Sequence, residues 1–156
     1  MSGGAHDAAT ASLAGLYREA IRRHAANPVG YRRPIAATHR HETYNPLCGD
    51  RIEVSLRLAG DEVAEVAFDG EACAICMASA SLLCGLAPGR TVAGLRQLNE
   101  CLQEALNAPQ GPPAGVPAEL QPLLGVRPYP SRIRCATLPW VTAVSAMANG
   151  CASSPD

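Results

Sequence analysis

Three cysteines and one aspartate have the types and positions expected of metal ligands. Cys48 and Asp50 are two residues apart, so an extended backbone directs both side chains to one side. Gly49 between them lets the chain turn tightly around whatever they hold. Cys73 lies at the start of one predicted helix and Cys135 just before another, where unpaired backbone N–H groups favour a thiolate. Three thiolates and a carboxylate form a four-ligand set that tetrahedral Zn²⁺ accepts.

The charge of such a site affects its surroundings. Three thiolates and one carboxylate leave the Zn²⁺ site with a net negative charge, and Arg132 and Arg134, which flank Cys135, are placed to compensate it. Structural zinc sites use Cys and His more often than Asp. The carboxylate therefore indicates a labile site.

The remaining four cysteines fit other roles. Cys84 and Cys101 are predicted to be small core residues, and Cys151 is predicted to be an exposed thiol in the tail. Cys76 forms a Cys-x-x-Cys pair with Cys73, a spacing found in metal and redox sites. Its role stays open between core packing and a direct part in the chemistry.

Neither the two histidines of the first predicted strand nor the sequence pattern of a zinc deaminase supports a second metal site. His39 and His41 alternate on a weak predicted strand, where solvated side chains are the ordinary interpretation. A zinc deaminase needs His-x-Glu and Pro-Cys-x-x-Cys. Here His41 and Glu42 are adjacent and Ala72 precedes Cys73, so that class is excluded.

Composition limits the class of protein further. The 156 residues suit one domain, which we place at 12–149 between flexible ends at 1–11 and 150–156. All 13 basic residues are arginines and the net charge is −1, which argues against nucleic-acid binding and a basic membrane anchor. An odd number of cysteines, no secretory signal and no long apolar run predict a cytoplasmic chain with reduced thiols.

Turn residues and hydrophobic periodicity predict the elements that position the site. A helix capped by Ser12 is expected to run to about His24 and to end at Asn27-Pro28. Apolar alternation predicts three strands: Thr38–Tyr44, Arg51–Leu58 and Glu62–Asp69. In the third strand, Val66 and Phe68 share one face and Val63 lies on the other.

Helices are predicted for most of the second half. One covers Cys73–Gly85 with Gly85 as its C-cap, and Thr91 caps another that carries a stripe of leucines. Residues 108–117 have the composition of a linker, and Pro122 is expected to keep a turn at Ala118–Leu124 short.

The last helix is predicted to begin just after Cys135, with Thr137 as its cap and Pro139 in its first turn. The order of elements favours an α+β fold, a small antiparallel three-stranded sheet with helices packed on one face.

Three segments carry a resemblance to a known family. They are Asn45–Ile52, Phe68–Ser81 and Arg132–Trp140, and each contains one of the three cysteines singled out above. They resemble the iron–sulfur assembly family that includes IscU and the N-terminal domain of NifU, with its IscU/SufU-like fold. Two features select the SufU branch: Arg134 stands where the IscU pattern has His, and residues 108–131 resemble that branch's insertion.

The resemblance implies a zinc-dependent sulfur carrier. Cys48, Asp50, Cys73 and Cys135 would hold Zn²⁺, and Cys48 would accept persulfide sulfur from a cysteine desulfurase of the SufS type, in the service of downstream iron–sulfur assembly proteins. Arg132 matches the family's Arg-Ile-x-Cys motif and would steady thiolate or persulfide charge. One alternative is an IscU-type scaffold that binds a [2Fe–2S] cluster on the same residues, and another is a structural zinc module without chemistry.

Three residues depart from the family's pattern without removing a ligand: Leu47, Cys76 and Pro139. Of these, Cys76 is an extra thiol within one turn of Cys73. It is placed to compete for the metal or to receive sulfur.

Overall fold

A three-stranded antiparallel sheet forms one layer of the fold, and helices cover one of its faces. The structure is a computed structural model that describes residues 15–108 and 115–149. Its strands are β1 (His39–Asn45), β2 (Asp50–Ala59) and β3 (Glu62–Glu71), side by side in chain order. One face of β2, formed by Ile52, Val54 and Leu56, is completely buried beneath the helices. The predicted α+β class is confirmed, and the three predicted strands end within two residues of the observed ones.

The predicted orientation of Val63 is wrong. Val63 pairs with Leu58, whereas Glu65 pairs with Arg57, so Ala64 is the extra residue of a β-bulge. The bulge brings Val63 onto the same face as Val66, and both are buried. Strict alternation along a strand holds only where no residue is inserted.

Within residues 15–108 and 115–149, four α-helices and a 3₁₀ helix accompany the sheet. They are α1 (residues 15–26), α2 (Ala74–Leu86), α3 (Val92–Asn107), the 3₁₀ helix Ala118–Val126, which contains Pro122, and α4 (Pro130–Asn149). None of the helices in the described residues is long and apolar enough to cross a membrane. Several predictions concern residues that lie outside the described ranges: the cap Ser12, the flexible ends 1–11 and 150–156, and residues 109–114 of the insertion.

The predicted N-cap of α3 is confirmed, and Cys73, predicted as the first residue of α2, is its N-cap. The predicted end of α2 is wrong. Cys73 Sγ accepts a hydrogen bond from the Cys76 N–H at 3.5 Å, and Thr91 Oγ1 accepts one from the Gly94 N–H at 3.0 Å. Gly85 lies inside α2, which continues to Leu86 and is capped at Ala87. Leu86 packs against the core, and this contact favours the additional helical residue.

The predicted start of the last helix is also wrong. The backbone N–H groups of Arg132 and Ile133 both donate to the Tyr129 carbonyl, at 2.9 and 3.0 Å, so α4 is already formed before Cys135. Pro139 therefore lies in the interior of α4. Burial of one face of the helix, including Trp140, offsets the cost of the hydrogen bond that proline removes.

Candidate metal centre

The turn between β1 and β2 presents Cys48 at the surface. Residues 46–49 form this turn, and the Gly49 N–H donates to the Asn45 carbonyl at 2.8 Å. Gly49 has a φ of +76°, a conformation that a side chain disfavours. Leu47, the neighbour of Cys48, is 79 % exposed, and Cys48 itself is exposed.

Asp50 connects the three cysteine-bearing segments. It is the first residue of β2, and only 4 % of its surface is exposed. Its Oδ1 accepts a hydrogen bond from the Cys73 N–H at 3.0 Å, and its Oδ2 accepts one from the Cys135 thiol at 3.5 Å. The carboxylate thus holds the start of α2 and the second turn of α4 beside the turn that carries Cys48.

The structure brings three of the four predicted ligands into one cluster. The ligand atoms of Cys48, Asp50 and Cys135 all lie within 4.8 Å of one another, a group that does not include the Cys73 sulfur. Cys73 is next to this group, because its backbone N–H donates to Asp50 Oδ1 at 3.0 Å and its thiol acts on the pKa of Cys135. Two sulfurs and a carboxylate oxygen, with a third sulfur at the edge, form a donor set that suits Zn²⁺.

The electrostatics of the cluster favour a bound cation. Burial, followed by the hydrogen bond and charge of Cys73 and the charge of Asp50, raises the pKa of Cys135. Within the described residues, Asp50 receives its hydrogen bonds from a backbone N–H and a thiol, not from a cationic side chain. A divalent cation there would replace thiol protons and neutralise the carboxylate.

Cys76 lies beneath the cluster, in the core. Its side chain is completely buried, and its backbone N–H donates to the Cys73 sulfur. Burial, and then the charge of Asp50, raises the pKa of the Cys76 thiol. Such a thiol is a poor nucleophile, because the thiolate is the reactive form.

The other cysteines lie away from the cluster. Cys84 is buried in the core, where burial raises its pKa to about 12. Cys101 is half-buried and packs against the core. Both are placed as predicted, whereas Cys151 lies outside the described residues.

Arg132 and Arg134 are exposed on α4. The Arg132 guanidinium carbon lies 4.5 Å from the centre of the Tyr129 ring, a cation–π contact. Arg132 precedes Cys135 by one helical turn, so the two share a side of α4.

The two histidines of β1 are half-buried, not solvated as predicted. They pair with Leu56 and Val54 and therefore lie on the covered face of the sheet. Helix α4 packs across this strand.

Sequence reasoning missed two residues that hold Cys135 in place. Ser79 of α2 donates its hydroxyl to the carbonyl of Ala136, the residue after Cys135, and accepts a hydrogen bond from Trp140 Nε1 at 3.0 Å. All three residues are completely buried. The available signal was chemical: a buried indole N–H needs an acceptor, and a serine in an apolar helix is a suitable one.

Comparisons with known proteins show which family model and which relatives the chain is similar to. The family model described as the NifU-like N terminal domain matches residues 16–136. The zinc-dependent sulfurtransferase SufU of Bacillus subtilis (strain 168) is 32% identical over 130 residues, which cover 83% of this chain and 88% of that protein. The iron–sulfur cluster assembly scaffold protein IscU of Streptococcus pyogenes serotype M1 is 31% identical over 96 residues, which cover 62% of this chain and 60% of that protein.

A solved structure is similar in fold. The crystal structure of an N-terminal, NifU-like nitrogen-fixing protein from Brucella abortus matches with a TM-score of 0.76 at 23% identity, covering 85% of this chain and 92% of that one. The same arrangement of sheet and helices therefore occurs in a chain that shares fewer than a quarter of the matched residues.

Proposed function

The chain belongs to the NifU-like N-terminal domain family, and from this we propose that it is a zinc-dependent sulfur carrier in iron–sulfur cluster biogenesis. It accepts persulfide sulfur from a cysteine desulfurase of the SufS type. One observation carries the proposal: in a cluster of three ligand atoms, Cys48 is exposed while Asp50 and Cys135 are buried. Cys73, the fourth proposed ligand, is exposed as well, but its sulfur is outside this three-atom cluster. Within the cluster, a partner therefore reaches the Cys48 sulfur while the other two ligands remain covered.

We assign Cys48, Asp50, Cys73 and Cys135 as the residues that hold Zn²⁺. Cys48, Asp50 and Cys135 form the close cluster, and Cys73 lies beside Cys135. When bound, Zn²⁺ supplies the positive charge that keeps these thiols ionised and protected. Asp50 keeps the cluster assembled through its two hydrogen bonds.

Cys48 is the sulfur acceptor in this proposal. Its thiolate attacks the outer sulfur of the desulfurase persulfide. A new sulfur–sulfur bond forms to Cys48 as the bond inside the donor persulfide breaks, and the desulfurase cysteine leaves as a thiolate. The transferred sulfur keeps its oxidation level, so the step needs no external oxidant or reductant.

Arg132 has a supporting role in this proposal, and Cys76 is not the sulfur acceptor. We assign Arg132 the role of steadying the thiolate or persulfide charge, because it is exposed one helical turn before Cys135. Cys76 is completely buried, which favours Cys48 over Cys76 as the acceptor.

The alternative is a scaffold that assembles a [2Fe–2S] cluster on the same residues. The S. pyogenes relative carries the name of such a scaffold, and this observation keeps the alternative in view. Arg134 stands where the IscU pattern has a histidine, which favours the carrier.

Metal analysis and an anaerobic absorption spectrum of the purified chain separate the two functions. The carrier contains about one zinc per chain and shows no visible charge-transfer bands. Iron together with sulfide-to-iron bands would contradict it. Cys101→Ala is the matched control for Cys48→Ala, because Cys101 packs outside the cluster and its loss leaves the zinc content unchanged.

A further inference from the structure

An open cavity lies on the helical side of the molecule, away from the exposed face of the sheet. It has a volume of about 420 Å³ and is lined by residues of α1, α2, the 3₁₀ helix and α4. This volume lies within the range of small-molecule sites, roughly 300–1,000 Å³. The cavity is next to the cysteine cluster in the chain, because Ala74 in its wall follows Cys73 and Arg132 precedes Cys135 by one turn.

Three arginines line the cavity: Arg18 and Arg22 from α1, and Arg132 from α4. The lining residues include no carboxylate. Within the described residues, no carboxylate lies within 4.0 Å of Arg18 or Arg132. Arg22 reaches Glu19 at 3.5 Å, but both side chains are more than half exposed, and such pairs neutralise little charge.

Two arginines on the exposed face of the sheet, by contrast, have carboxylate partners. Arg51 pairs with Glu42 at 2.7 Å, and Arg57 pairs with Glu65 at 3.0 Å. The net charge of the whole chain is −1. The cavity nevertheless has three positive charges in its lining and no lining carboxylate that would neutralise them.

The rest of the wall is apolar. Ile21, Ile75 and Pro122 line it, and the ring of Tyr129 lies at its edge beneath Arg132. Arginine recognises carboxylate and phosphate groups through paired N–H donors, and apolar walls select a ligand with a hydrocarbon body.

We propose that this cavity binds a small organic anion, a carboxylate or phosphate attached to an aromatic or aliphatic group. The cavity adjoins the proposed zinc cluster and shares Arg132 with the proposed sulfur-transfer site. Binding of the anion does not depend on the proposed function. Arg18 and Arg22 contact the anionic group, and the isoleucines hold the apolar part.

Isothermal titration of the full-length, metal-loaded chain with phenyl phosphate tests the proposal. Phenylacetate, run in parallel, shows which anionic group the site prefers. Saturable binding is expected for the wild type and for Arg96→Gln, a charge-matched control on α3 that does not line the cavity. Arg18→Gln and Arg22→Gln each bind about tenfold more weakly, the loss expected for one charge-assisted hydrogen bond.

Two further probes separate the charged and apolar parts of the ligand. Inorganic phosphate is expected to bind more weakly than phenyl phosphate, and uncharged benzyl alcohol is expected not to bind. Absence of saturable binding of both anionic probes overturns the proposal. Equal affinity in Arg18→Gln, Arg22→Gln and Arg96→Gln, or equal affinity for phosphate and phenyl phosphate, also overturns it. Zinc content, measured on the same samples, reports separately on the carrier function.

Discussion

Asp50 and Cys135 are 85 positions apart in the chain, yet Oδ2 of Asp50 lies 3.5 Å from the Cys135 sulfur. The same carboxylate accepts the Cys73 N–H through its other oxygen. One buried side chain therefore links the start of β2 to two helices, and the metal cluster depends on it for both charge and position.

Substitutions of Asp50 separate these two contributions. Asp50→Asn keeps an oxygen that accepts the Cys73 N–H but removes the negative charge. Loss of an outer-sphere partner of a metal costs roughly 10–100-fold in affinity, and Asp50→Asn is expected to weaken zinc affinity by at least this factor. The unfolding midpoint of the metal-free chain should be nearly unchanged.

Asp50→Ala also leaves the Cys73 N–H without its partner. The metal-free chain should lose about 1–3 kcal/mol of unfolding free energy in addition. Competition with a chromophoric zinc chelator measures the affinity, and urea unfolding measures the stability. Wild-type zinc affinity in Asp50→Asn would show that the carboxylate charge is not part of the site.

The Ser79 hydroxyl should stabilise the packing of α2 against α4. Ser79→Ala removes the acceptor for the Trp140 indole N–H and the donor to the Ala136 carbonyl. We expect a loss of about 1–3 kcal/mol in urea unfolding, because a buried polar group is left unpaired. Ser55→Ala, on the exposed face of the sheet, should change stability by less than about 0.5 kcal/mol. Equal effects of the two substitutions would argue against this role.

Gly70, near the end of β3, should tolerate no side chain. Its φ is +147°, and a Cβ there would collide with the Arg51 carbonyl. Gly70→Ala should therefore destabilise the fold by at least about 2 kcal/mol. Gly85→Ala is the matched control, since a Cβ on Gly85 meets open space inside a helix, where alanine stabilises by up to about 1 kcal/mol. Thermal unfolding of both variants checks the opposite signs.

The contact between α1 and α2 should weaken in acid. His24 Nδ1 lies 2.7 Å from Ser81 Oγ, which also accepts the Val29 N–H. Burial, and then the charge of Arg23, lowers the pKa of His24 below the ordinary 6.5. The unfolded chain therefore takes up a proton first as the pH falls below that value, so stability declines until the folded state is protonated as well.

A non-titrating variant isolates the His24 contribution. Urea midpoints measured at about pH 8 and about pH 5 should fall more in the wild type than in His24→Gln. An equal fall in both proteins would show that other groups cause the acid sensitivity.

Local chemistry predicted much of this molecule. The tight turn at Gly49, the start of α2 near Cys73 and the cap Thr91 depend on nearby residues, and all three were predicted correctly. The Ala64 bulge and the early start of α4 depend on packing between distant segments, so they were not. Pro139 led to a wrong prediction of where α4 begins. The burial of α4 offsets the cost of a proline that an isolated helix would not tolerate.

The same contrast between local and distant contacts applies to the candidate metal site. Cys48, Asp50 and Cys73 were predicted from the residues around them, whereas Cys135 was expected at a helix start and lies inside α4. Ser79 supports the part of α4 around Cys135 through hydrogen bonds with Ala136 and Trp140, which are 57 and 61 positions away in the chain. Such contacts leave no local pattern.

The most direct test of the central claim is transfer of radiolabelled sulfur from a SufS-type desulfurase to the zinc-loaded chain. The labelled chain is separated without reductant and its radioactivity is counted, with circular dichroism as a check on folding. Wild type, Cys76→Ala and the control Cys101→Ala should all become labelled. Cys48→Ala should stay folded and unlabelled. Labelling of Cys48→Ala at the wild-type rate would contradict the assignment of Cys48 as the sulfur acceptor.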